Sequence, residues 1–478
     1  MTPAVEVEPK LASPGTPQLK RVLGRRDLVL LFVVAVVNLN VVPSVAANGG
    51  VTIWLWLLAL VFFFWPQGIA VIELGGRYPG EGGVYLWTKK FFGDFHGFLS
   101  GWCYWTNNVF YIPTVLLYLV GVALYVGGDR TKALADDPSV TFPAALAALV
   151  VLVVLNVIGV GVGKWVNNLG GIGTFTIAAV LIVLGIVTFA THGSALSASD
   201  FRVNGADWRI ISTFGTMCFG LVGLELASVM GDEIRDPQKT LPPAVALGGV
   251  ASGVLYIGAS LTLLLAVPKS SIGVLQGVVE AIGNMATQVG AKWIIAPLAV
   301  VLSISIAGIA SAWLSGSARI PFVAGLDRYL PSALGKLHPC TATPYVALIA
   351  HGFFSAIFLA LSFAKGASVK EAFTILLALA VVLQLVPFLY VYAALIKLAL
   401  RHGAADGHYS KPVLMVSGLS GLITTALGMV VAFVPPTSAS AWKFDGKMAF
   451  GTLFFLGLGG FFYFVYGRRR APAVAAQI

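Results

Sequence analysis

The 478 residues are 58% hydrophobic and only 10% charged, with a mean hydropathy of +0.89. An ordinary soluble domain carries about a quarter of its residues as charged side chains, so that class is excluded. The net charge of +10 has no soluble domain on which to form a basic face, which excludes nucleic-acid binding.

Taken in chain order, residues 1–27 are polar, proline-containing and basic, unlike a cleavable signal, and are expected to stay in the cytoplasm. A helix needs roughly 20 apolar residues to cross about 30 Å of hydrocarbon. Twelve candidate spans follow, near 28–48, 52–74, 95–126, 141–161, 168–190, 210–231, 243–267, 291–314, 343–363, 371–396, 412–434 and 448–467. They are apolar all round and show no alternation, which points to an all-α membrane protein and away from a barrel. Loops are short, so the chain is expected to be one integral membrane unit.

With the amino terminus inside, 20 of the 30 Lys and Arg residues fall on inside-facing segments, and the other ten spread over five outside loops. That bias predicts both termini in the cytoplasm of a multi-pass protein of the cell's inner or plasma membrane. Cys103, Cys218 and Cys340 have neither metal-ligand spacing nor an outside pair, so neither a metal site nor a disulfide is expected. No cofactor is implied.

Two spans are interrupted. The first contains Asn38, Asn40 and Pro43, and the sixth has Gly215, Gly220 and Gly223 before Glu225. Irregular backbone at membrane depth is tolerated only where protein or a hydrated cavity satisfies it. Asn visits left-handed conformations cheaply, and Pro43 suits the first turn of a restarted half-helix. That turn, through Ser44 and its neighbours, would direct unpaired N–H groups at an anion such as a carboxylate. The alternative is a proline-kinked helix whose asparagines bond neighbouring helices. Breaks five spans apart are what two inverted five-helix repeats would place around a substrate.

Three longer stretches add a resemblance. "ELGGRYPGEGGVYLWTKKFFGDFHGFLSGWCYW" (73–105), "GLVGLELASVMGDEIRDPQKTLPPAV" (220–245) and "SAWLSGSARIPFVAGLDRYLP" (311–331) together resemble motifs of the amino acid–polyamine–organocation (APC) transporters, of the amino-acid permease type. The resemblance implies a five-plus-five inverted repeat (LeuT-like) with broken helices 1 and 6. It divides the chain into a cytoplasmic segment 1–27, a transport core 28–396, accessory helices 11 and 12 at 397–467, and a cytoplasmic tail 468–478. Substrate would bind between spans one, three, six, eight and ten. Phe219 stands where related exchangers have an aromatic gate, Glu225 matches a buried acid, and Cys103, Tyr104, Asn108 and Tyr111 fall on the cavity side of span three.

The sequence also departs from the family pattern. The small first-span element is replaced by Asn38-Leu39-Asn40, the lysine of some proton-coupled members by about Thr174, and Trp313 falls about one turn too close to the cytoplasm for the eighth-span aromatic. The candidate substrate-binding residues are therefore Asn38, Asn40, Ser44, Cys103, Tyr104, Asn108, Tyr111, Phe219, Gly220 and Gly223. Glu225 is the candidate for proton coupling or gating, because a carboxyl in a membrane helix is costly, with a hydrogen-bonded structural acid as its alternative.

Phe219 and Tyr104 either line the pocket or pack against neighbours. Of the adjacent Asn107 and Asn108, one can face the cavity while the other bonds a neighbouring helix, and Gln384 reads as interhelical glue. Asp232, Glu233, Arg235, Asp236 and Lys239 are expected either to pair with Arg77, Lys89 or Lys90 in one state or to form a solvated loop face. The predicted function is secondary active transport of an amino acid by alternating access, possible as proton symport or exchange, with a polyamine or other organic cation as the alternative substrate. Neither the charged ring of a pore nor the nucleophile and base of an enzyme is present in the sequence.

Overall fold

The computed structural model describes residues 19–467 except 40, 197, 203–207, 268–275, 402–406 and 434–440. The expected tails 1–18 and 468–478 lie outside the described residues. What is described is helical, with two isolated β-bridges, Leu23 to Ile234 and Glu81 to Met230. Ten helices are long and apolar enough to cross a membrane, and each coincides with one of the spans expected from hydropathy. The two remaining apolar segments, the first and the sixth, are each broken into shorter helices.

Span one consists of α1 (Arg25–Val36) and α2 (Val41–Ala46). Asp27 opens α1 by accepting the Gly24 N–H at 2.9 Å, and Pro43 lies in the first turn of α2. Span two, α3 (Thr52–Arg77), contains a wide π-turn at Leu60–Phe64 followed by Pro66, which has no N–H to donate. Carbonyls exposed at this turn are met from elsewhere: Tyr392 donates to Phe63 O at 2.7 Å and Ser420 to Phe62 O at 3.0 Å. A short helix, α4 (Val84–Phe92), then leads into span three, α5 (Asp94–Ala123).

Spans four and five are α6 (Pro138–Ile158) and α7 (Val160–His192). Span six is α8 (Trp208–Gly220) and the single turn α9 (Leu226–Val229). Then come span seven, α10 (Pro237–Ala266), and a connecting helix, α11 (Gly277–Gln288). Span eight, α12 (Ile295–Ser317), runs on into α13 (Arg319–Leu326), so it reaches well past the boundary read from hydropathy. Spans nine to twelve are α14 (Tyr345–Ser362), α15 (Val369–Arg401), α16 (Lys411–Val431) and α17 (Ala441–Gly467).

The outer belt exposes large apolar side chains, Trp65, Val254, Val416 and Phe450 among them. A water-soluble protein would not tolerate so continuous an apolar surface, which is the surface hydrocarbon solvates. Inside that belt α5 is the most enclosed span, buried along most of its length. It packs against α12, α14 and α15 and carries the side chains that face the two breaks.

Candidate functional site at the two helix breaks

The breaks meet. A β-carbon on Gly223 would stand 3.0 Å from the Ala35 carbonyl carbon and the Val36 nitrogen, and Gly223 has φ +144°, a conformation that side-chain-bearing residues rarely adopt. Glycine at 223 thus serves two purposes: it lets the chain turn between α8 and α9, and it lets the two interrupted backbones touch. Gly220 lies against Val41 in the same way, where a β-carbon would come within 3.1 Å of Val41 Cγ1.

Unwinding frees backbone groups, and nearby side chains satisfy them. The Tyr256 hydroxyl on α10 accepts the Asn38 N–H at 2.9 Å and has the Val36 and Gly220 carbonyls at 2.8 and 2.7 Å. One hydroxyl therefore ties span one to span six. Trp313 on α12 donates its indole N–H to Ala35 O at 3.2 Å, and Tyr111 donates to Asn38 Oδ1 at 2.5 Å. The Tyr111 ring stands edge-on to Phe219 at 5.2 Å between centroids and to Trp313 at 6.0 Å.

Glu225 closes the other side of the site. Its side chain is fully buried and accepts three hydrogen bonds: from the Tyr104 hydroxyl at 3.0 Å, from Gln67 Nε2 at 3.0 Å and from the Gly223 N–H at 2.9 Å. These donors come from spans three, two and six, so the carboxyl group cross-links three elements around the second break. Tyr104, Asn108 and Tyr111 recur at i, i+4 and i+7 on α5 and so share one face. Asn108 Nδ2 donates to Tyr104 O at 2.9 Å, while its Oδ1 is buried with no hydrogen-bond partner. Gln67 Oε1 is likewise buried and unbonded.

Of the residues selected from sequence, Asn38, Tyr104, Tyr111, Phe219, Gly220, Gly223 and Glu225 therefore come together, with Asn108 beside them. Cys103 is buried on α5, about 100° around the helix from Tyr104, and among the described residues no hydrogen bond ties it to either break. Asn40 and the Ser44 side chain lie outside the described residues. Asn107 donates to Gln384 on α15, which makes that pair interhelical glue. Thr174, in place of a lysine, meets the Ser305 hydroxyl at 2.6 Å.

Three participants were missed by sequence reading. Tyr256 had no motif to mark it. Gln67, a lone amide in an apolar run, was a signal that could have found it. Trp313 was set aside for its position, yet it sits directly on the first break.

In the charged run after α9, Asp232, Arg235, Asp236 and Lys239 are exposed, as in the expected alternative of a solvated loop face, and of its charged residues only Glu233 is buried. Glu233 pairs with Arg319 at 2.6 Å, not with Arg77, Lys89 or Lys90. Arg77 is held by Glu73 at 2.6 Å, Lys89 by Asp327 at 2.5 Å, and Lys239 by its own neighbour Asp236 at 3.1 Å. The local i,i+4 pair on α3 claims Arg77 before any loop can, and α4 carries Lys89 towards the α13 end instead.

The comparisons bear on what this arrangement is for. The family described as amino acid permease matches residues 23–456. An uncharacterized transporter of Legionella pneumophila is 28% identical, over 87% of this chain and 90% of that one. A probable agmatine/putrescine antiporter of Lactococcus lactis is 24% identical over 85% of each chain. A serine/threonine exchanger of Bacillus subtilis is 26% identical over 68% of this chain and 74% of its own.

Proposed function

The chain belongs to the amino acid permease family of transporters, and we propose that it carries an amino acid across the membrane by alternating access, with substrate held where the two breaks meet. The observation that carries this reading is the fully buried Glu225 set beside two backbones whose polar groups are satisfied by side chains. Tyrosine hydroxyls and an indole N–H can be exchanged for the ammonium and carboxylate of a small zwitterion without leaving a buried group unpaired. The unbonded Asn108 Oδ1 and Gln67 Oε1 are buried acceptors on residues whose amides bond Tyr104 O and Glu225. The distribution of Lys and Arg supports both termini in the cytoplasm.

A second substrate reading, a polyamine or related amine, has one observation in its favour: the probable agmatine/putrescine antiporter among the relatives. Against it, Glu225 already accepts three hydrogen bonds, and the other buried glutamates among the described residues, Glu73, Glu81 and Glu233, lie towards the amino-terminal face. A di-cation would meet one committed carboxylate at mid-membrane. Neutral amino acids fit better.

Counterflow in proteoliposomes tests both. Saturable exchange of a neutral amino acid is expected, and Glu225→Gln should lower it about tenfold or more, because a glutamine turns an N–H₂ towards donors that need an acceptor. If Glu225 titrates during the cycle, the same variant also flattens the pH profile of uptake. Exchange of putrescine or agmatine without amino-acid exchange would replace the first reading by the second. Absence of saturable exchange for either class would remove both.

A further inference from the structure

Towards the amino-terminal face the chain buries three ionisable groups against one another, two acids and one base. Arg319, at the start of α13, is 1% exposed, Glu233 0% and Glu81 7%. The guanidinium is largely committed: Nη2 donates to Glu233 Oε1 at 2.6 Å, and Nη1 bonds the carbonyl and hydroxyl of Ser315. Arg319 Nε stands 3.5 Å from Glu81 Oε1 without a hydrogen bond, and both atoms, with Glu233 Oε2, are buried and unbonded. Glu81 Oε2 receives one hydrogen bond, from the Asp232 N–H at 3.1 Å.

One guanidinium cannot neutralise two buried carboxylates, and it favours Glu233 by geometry. Glu81 as an anion would have a single hydrogen bond, another carboxylate nearby, and little water. Burial first and then the charge of Glu233 raise its carboxyl well above the usual range, with Arg319 opposing and Asp232 adding to the rise. Arg319, Glu233 and Asp232 are the charged groups that face it, from α13 and from the turn after α9.

We propose that Glu81 is a proton-binding site that latches this face shut. With a proton on Glu81 the cluster is neutral, and it clamps together the loop after α3, the turn after α9 and α13. These are parts of both halves of the core, and the bridge from Glu81 to Met230 runs alongside. When the face opens and water reaches the cluster, Glu81 releases the proton to that water, and no other bond changes. The closed state therefore binds one proton more than the open one. Its advantage is fully present at pH below the ordinary glutamate range, and it is lost as pH rises through the raised value of the closed state.

The inference rests on the alternating-access reading, but its test uses no substrate, so failure of transport and failure of the latch are separable. Spin labels at Lys239 and Cys340, both exposed, sit on the chain segments that follow Glu233 and Arg319 respectively. In full-length protein with Cys103 and Cys218 replaced by Ala, raising the pH from about 5 to about 9 should add a longer-distance population. Glu81→Gln, which imitates the protonated acid, should hold the short distance throughout. A distance distribution insensitive to pH in the parent, or a Glu81→Gln variant that opens as the parent does, overturns the proposal. Should that variant fail to fold, infrared spectra of the parent decide the matter: a protonated-carboxyl band that disappears with opening upholds the latch, and its absence in the closed state refutes it.

Discussion

The two breaks solve the same problem with different balances of local and distant bonds. Span one is held from outside: Tyr256, Trp313 and Tyr111 reach in from spans seven, eight and three to satisfy Ala35, Val36 and Asn38. Span six is held partly from within, since Gly223 supplies the turn and its N–H bonds the Glu225 carboxyl two residues on, while Tyr104, Gln67 and Tyr256 reach it from spans three, two and seven. The first break therefore leans more on the packed assembly, and the second adds a glycine turn and a carboxyl bond written into a short local sequence. Substitutions at span six should damage folding directly, while substitutions around span one should loosen the junction without preventing it.

The largest effect is expected at Gly223. An alanine there meets both a forbidden φ and the span-one backbone, a destabilisation of about 3 kcal/mol or more, seen as a large fall in thermal midpoint or loss of monodisperse protein. Tyr256→Phe comes next. It removes one of the two acceptors of the Asn38 N–H and the link to two carbonyls, at about 2 kcal/mol, but folded protein should still be recovered. If Tyr256→Phe proves more damaging than Gly223→Ala, the contrast between the breaks is wrong.

Trp313→Phe, which keeps a ring but removes one donor to Ala35 O, should cost about 1 kcal/mol and serves to sharpen the contrast. The smallest effect concerns the anchor of span one. Asp27 accepts hydrogen bonds from the Gly24 N–H and the Asn168 amide, each at 2.9 Å, and pairs with Lys164 at 3.0 Å. Melting curves of Asp27→Asn, which removes the charge and keeps one acceptor, should show a loss of no more than about 1 kcal/mol for this partly exposed pair.

What the sequence made legible follows from cost. Asn38, Gly223 and Glu225 stand out because an amide, a flexible residue and an acid are expensive inside an apolar run, so their presence already asks for a reason. Tyr256 and Trp313 cost nothing where they stand, in a chain that is 12% aromatic. Their role exists only once a hydroxyl and an amide 218 positions apart in the chain are brought within 2.9 Å. Arg319 shows a further limit: hydropathy ended span eight at 314, but the helical path continues to Leu326, which draws a cation into a buried cluster with Glu233. Where a charge finds its partner is decided by helix packing, and nearness in the sequence is a poor guide.

The π-turn of span two has a mechanical consequence. Its carbonyls at Phe63 and Phe62 are occupied by Tyr392 from span ten and Ser420 from span eleven, so the flexing point of that helix is braced by both. A rod braced at its weak point bends only if the brace travels with it. Span eleven would then move as cargo of span two during any rocking motion, and the peripheral helices would set how stiffly the core can swing.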